Sequence, residues 1–94
     1  MKGDVWRAAA EAAIRGAAGG KAGFDDLPPT IAEAARQVST ILSSVGGVCP
    51  LCGSGPFTQR GFYLHLVRVH ISDVELMVRS LAEGIARGRL HGLA

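Results

Sequence analysis

Apolar residues recur at helical spacing in three stretches of the chain, and a fourth stretch between the second and third breaks that period. Trp6, Ala9, Ala10, Ala13 and Ile14 share one face of a helix expected over roughly 5–18, with Asp4 as its N-cap. Gly16, Gly19 and Gly20 weaken its end, residues 19–23 read as a flexible joint, and Phe24-Asp25-Asp26-Leu27-Pro28-Pro29 as an ordered turn. Ile31, Ala34, Ala35, Val38, Ile41, Leu42 and Val45 make the second amphipathic helix. Thr30-Ile31-Ala32-Glu33 opens it with the capping-box pattern, and Gly46-Gly47 stops it. The third stretch begins at a second capping box, Ser72-Asp73-Val74-Glu75. It places Val74, Met77, Val78, Leu81 and Ile85 on one face of a helix expected over roughly 73–87. Gly88-Arg89-Leu90-His91-Gly92 then reads as a fraying tail.

The stretch over 48–71 carries the chemistry. Cys49 and Cys52 stand two residues apart, twelve residues follow, and His65 and His70 stand four residues apart. Zinc takes thiolate and imidazole ligands in a tetrahedron, and a site with four protein ligands is closed and structural. Pro50 bends the chain between the cysteines into a tight knuckle. The intervening residues suffice for the return strand of a hairpin and the first turns of a helix, from which both histidines project. Residues five apart lie about 140° apart around an ideal helix, so the last turn must loosen or tighten near 67–69. The expected cofactor is therefore one structural zinc ion on Cys49, Cys52, His65 and His70. A disulfide across Cys-Pro-Leu-Cys would close too small a loop to stabilise much, and the βαβ pattern of a redox pair is missing.

These ligands resemble the two-cysteine, two-histidine (C2H2) zinc-finger family over about a quarter of the chain. Phe62 falls where the family has its helix-core hydrophobe. Phe57 is similar to the strand aromatic, displaced by one position, and Gly47 replaces the aromatic before the first cysteine. The finger's small core is then Val48, Phe57, Phe62 and Leu66. The resemblance implies a mainly α fold with one small β-hairpin, a single ββα zinc finger flanked by amphipathic helices. The expected segments are 1–23, the N-terminal helix and joint; 24–47, the second helix; 48–71, the finger; and 72–94, the last helix and tail. Small single-finger proteins with helical flanks also resemble those of archaea and their viruses. The family implies DNA as partner, with a helix in the major groove and Thr58, Arg60, Gly61 and Leu64 facing the bases. Gly61 and Leu64 cannot hydrogen-bond through their side chains, so low sequence selectivity is expected.

Composition narrows the alternatives. The chain has 94 residues, 48% of them hydrophobic and 5% aromatic, and carries a net charge of +2, with a pI near 8.8. That balance admits a nucleic-acid partner without requiring one. Arg60 and Arg68 lie in a segment with no Asp or Glu between Arg36 and Ser72, and Arg79, Arg87 and Arg89 follow. The missing carboxylate, together with a closed ligand set, argues against catalysis, and neither a small-molecule substrate nor a membrane span is expected. The start Met1-Lys2-Gly3-Asp4 reads as that of an intracellular protein, cytoplasmic or nucleoid-associated and not secreted.

The function expected is a small DNA-binding regulator or accessory factor contacting DNA through Thr58, Arg60 and Arg68. The alternative is a zinc-stapled protein-interaction adaptor using Tyr63, Leu64, Leu66 and Val67 of the finger helix. The flanking helices must pack on each other, on the finger or on a second copy, which leaves a homodimer and a monomeric bundle both open.

Overall fold

The computed structural model of the chain describes residues 4–43 and 47–93, with side chains over 5–43 and 47–88. Four α-helices follow one another: α1 (Asp4–Ala17), α2 (Pro29–Leu42), α3 (Gln59–Val69) and α4 (Ile71–Leu93), with a 3-10 turn at Phe24–Asp26. There is no strand among the described residues, which overturns the β-hairpin and the ββα finger expected from the sequence. The reason is local. Residues 48–58 hold Pro50, Gly53, Gly55 and Pro56 and no run of β-branched residues, so two paired strands have nothing to form from.

Helices α1, α2 and α4 each pack against the other two, and α3 lies against α1 and α4. The shared core is built from the residues that the helical spacing singles out: Ala9, Ala10, Ala13 and Ile14 from α1, and Ala34, Ala35, Val38 and Leu42 from α2. Phe62 and Leu66 of α3 and Val74, Val78 and Ala82 of α4 complete it. Small side chains let α1 and α2 approach closely. A Cβ added at Gly16 would stand 2.5 Å from the buried Ser39 hydroxyl.

The element boundaries differ from expectation at both ends of α2 and of α4, and α1 already includes Asp4, expected as its N-cap. Helix α2 starts at Pro29, with Pro28 as its N-cap and no side-chain cap, because a proline at the first helical position already has the helical φ and needs no N–H partner. Thr30 therefore lies inside the helix, and Pro28 takes the N-cap position expected of it. Helix α2 ends at Leu42, where Ser43 turns extended (φ −63°, ψ 130°); Val45 and Gly46, expected to close it, lie outside the described residues. Helix α4 starts at Ile71, before the expected Ser72 cap, and runs through Gly84 and Gly88 to Leu93 in place of a fraying tail. No helix of the described residues is long and apolar enough to cross a membrane.

Candidate metal centre

The cysteine segment forms a knuckle held by its own backbone. Cys49 N–H donates to the Ser54 carbonyl at 2.8 Å, and Gly53 N–H donates to the Cys49 carbonyl at 2.8 Å. One further bond, from Phe57 N–H to the Gly47 carbonyl at 2.9 Å, ties the two ends of the segment together. Gly47 has φ 75°, and a Cβ there would meet the Phe57 carbonyl oxygen at 2.4 Å, so only glycine fits. Cys49 belongs to the core, whereas Cys52 faces solvent. The knuckle is thus anchored by one cysteine and presents the other.

Helix α3 begins at Thr58, whose hydroxyl accepts from Gly61 N–H at 3.0 Å. That cap directs Phe62 and Leu66 inward and leaves His65 beside the knuckle. Phe57 stacks on the His65 ring at 4.7 Å between centroids. The problem of two histidines five residues apart is solved at a single residue. Helix α3 stays α-helical to Val69, and His70 leaves it with φ −117° and ψ 13° while its N–H still bonds the Leu66 carbonyl. Its own carbonyl accepts from Val74 N–H at 2.9 Å, which starts α4. The corner between the two helices is therefore His70 itself, and the loosening expected at 67–69 is not needed.

The four predicted ligands come together. Their ligand atoms all lie within 4.8 Å of one another. A tetrahedron with Zn–S and Zn–N bonds of ordinary length has edges of about 3.3–3.8 Å, so closing on an ion takes a contraction of at most about 1.5 Å. Cys52 Sγ is already 3.4 Å from His65 Nε2, and the two imidazoles meet edge to face at 5.0 Å. His70 is 7% exposed, and its Nε2 is buried with no hydrogen-bond partner. A buried polar atom without a partner costs roughly 1–3 kcal/mol, and an ion at the centre of the cluster would remove that cost. The other ring nitrogen, Nδ1, lies 3.1 Å from Asp73 Oδ2.

The electrostatics suit a cation. The pKa of the Cys52 thiol is lowered to about 6, first by the Ser54 hydroxyl at 3.2 Å, then by His70, the Ser54 backbone and His65. Burial acts to lower that of His70, but the neighbouring Cys52 sulfur, which makes no hydrogen bond with Nε2, and the Asp73 carboxylate on Nδ1 together outweigh it and raise the imidazole. Thiolates and imidazoles are the ligands that a borderline-soft divalent cation selects.

The other sequence-predicted site residues stand apart from this cluster. Thr58 is exposed, with its hydroxyl engaged in the α3 cap, and Arg60 and Arg68 are exposed on α3. Of the apolar residues assigned to an adaptor, Leu64 is half-buried and outside the core, and the other three turn inward. Leu66 is fully buried, and Tyr63 and Val67 pack against the core. Val48, expected in the finger's core, is exposed. Two residues escape the sequence reading. Arg15 lines a cleft of about 230 Å³ with Gln59, Arg60 and Tyr63, where the end of α1 meets the start of α3; nothing in the sequence marks that juxtaposition. Asp73 reads in the sequence only as part of a cap, although its position three residues after His70 is the signal that could have placed it on the imidazole.

No protein-family model, no curated protein and no solved structure matches the chain. The likeness to C2H2 fingers therefore rests on ligand types and spacing alone.

Proposed function

We propose that the protein is a zinc-stapled helical module that binds duplex DNA with little sequence selectivity. The observation that carries the metal half is the convergence of Cys49, Cys52, His65 and His70 around a buried imidazole nitrogen that lacks a partner. Four protein ligands leave no open position, so the zinc is structural: it fastens the knuckle to α3 and to the α3–α4 corner.

The DNA half is supported by charge. Arg60 and Arg68 are the only Lys, Arg, Asp or Glu residues over 37–72. Neither is in an ion pair among the described residues, in contrast to Arg7, which is held by Glu75, and Arg36, which faces Asp25. Arg15 extends the same basic surface across the cleft from α1. Guanidinium groups free of carboxylates are suited to phosphate contact. The base-facing positions of the resemblance offer one capable side chain, Arg60, and hence little reading of sequence.

Binding of the zinc-loaded protein to random-sequence duplex DNA across a salt series tests this reading. The expected result is an affinity that falls steeply with salt, with a slope shallower by about one in each of Arg60→Ala and Arg68→Ala. No binding at low salt would remove DNA as partner. It would favour a protein ligand on the groove between α2 and α4, where Ile41 and Leu76 stay exposed beside Met77 and Leu81.

A further inference from the structure

We infer that Asp73 completes the metal centre as a positioning residue: its carboxylate fixes His70 so that Nε2, and not Nδ1, meets the ion. The inference rests on the metal-site reading above and adds a residue to it. An imidazole can ligate through either nitrogen, and the hydrogen bond made by the other decides which. His70 Nδ1 lies 3.1 Å from Asp73 Oδ2, whereas its Nε2 is buried and unpartnered. With the Nδ1 proton donated to the carboxylate, the lone pair is left on Nε2, among the other three ligand atoms. His65 also directs Nε2 at the cluster, 3.4 Å from Cys52 Sγ, so both histidines are assigned the same ligating nitrogen.

The placement of Asp73 follows from the corner at His70. Because α4 begins at Ile71, immediately after the ligand, Asp73 sits in the first helical turn. There it lies three residues past the imidazole, and its carboxylate reaches back to the ring. The His70 side chain is 9% exposed and that of Asp73 is 61% exposed. The carboxylate is thus open to solvent on one side and turns the other to the ring at Nδ1. Carboxylate partners of this kind orient metal-bound imidazoles and raise their basicity, and losing one commonly lowers metal affinity by about 10–100-fold. Asp73 would also couple the metal to α4: as the ion pulls on Nε2, the Nδ1 bond holds the first turn of α4 against the corner.

The test is zinc affinity by chelator competition on the full chain, for wild type, Asp73→Ala, Asp73→Asn and Cys52→Ala. The expected result is a loss of about 10–100-fold for Asp73→Ala and a smaller loss for Asp73→Asn, whose amide oxygen can still accept from Nδ1–H. Nitrogen-15 NMR of the zinc-loaded wild type should show Nδ1 protonated in His70. A residue that served only the α4 helix end would lower the thermal stability of metal-free and metal-loaded protein equally and leave zinc affinity unchanged. Unchanged affinity in Asp73→Ala, or a His70 bound through Nδ1, overturns the inference while the metal site stands. Full-affinity binding of one equivalent by Cys52→Ala would instead overturn the metal-site reading on which it rests.

Discussion

Gly47 and Gly53 both have positive φ within or beside the knuckle, yet they differ in what surrounds them. A Cβ at Gly53 (φ 77°) meets nothing within 4 Å, whereas at Gly47 (φ 75°) it meets the Phe57 carbonyl oxygen at 2.4 Å. Gly53→Ala therefore carries only the left-handed backbone cost, about 1–2 kcal/mol. Gly47→Ala adds a clash that pushes Phe57 away, and Phe57 is the ring stacked on His65. Thermal unfolding of the zinc-loaded variants should show the larger loss for Gly47→Ala, with weaker zinc binding only in that variant. Equal losses in the two would mean that the close approach of residues 47 and 57 does not support the site. At this scale the sequence is informative about the ligands, because zinc chemistry demands particular side chains at particular spacings. It says less about their supports: the three-residue spacing could have placed Asp73 on the His70 ring, but nothing in the sequence gives the stacking of Phe57 on His65 or the burial of Cys49 in the helical core.

Among the elements, the apolar spacing locates the helices because burial acts on whole faces. Ile14, Val38, Leu42, Val74 and Val78 all lie in the core as the period requires. Boundaries are less legible, since a capping-box pattern states a preference that tertiary packing or a better-placed proline can override. The hairpin is absent for another reason. Its expectation rests on likeness to a family, while the residues of 48–58 themselves offer turn chemistry and backbone bonds around two cysteines. Helix α3 shows how local and tertiary terms combine. It has 11 residues, too short to persist alone in water, so it depends on Phe62 and Leu66 below it and on its cap. Thr58→Ala should lower stability by about 1 kcal/mol, and Thr58→Ser, which keeps the accepting oxygen, by less. Equilibrium denaturation of both variants checks this, and equal stability of Thr58→Ala and wild type would show that the cap bond contributes nothing. The same engagement of the hydroxyl predicts that DNA affinity changes little in Thr58→Ser, although Thr58 stands at a base-facing position by resemblance.

Across the whole molecule, the metal cluster and the helical core overlap without coinciding. The buried side chains that α1, α2 and α4 give to the core are alanine, valine, isoleucine and leucine, none of them a ligand, and only Cys49 is both a ligand and a member of that core, while α3 gives Phe62 and Leu66 to the core and His65 to the cluster. Removing the ion leaves the first group its burial, but frees His65, Cys52 and the corner at His70, and with them the hold on α3. The expected response to a strong chelator is therefore graded. Far-UV circular dichroism should retain most of its helical signal, and amide hydrogen exchange should lose protection over 59–69 before it does in α1, α2 or the middle of α4. Cysteine titration should then find Cys52 reactive at once and Cys49 only as the core opens, since one is exposed and the other buried. Complete cooperative unfolding on chelation would show that the bundle cannot stand without its staple, which requires the alanine-rich faces of α1 and α2 to bury too little area to offset chain entropy. No change in exchange anywhere would be the more damaging result, because a cluster that can lose its ion without loosening α3 is not holding the fold. The graded outcome is favoured by the geometry, in which Cys52 is exposed and His65 only half-buried, and neither belongs to the core side chains.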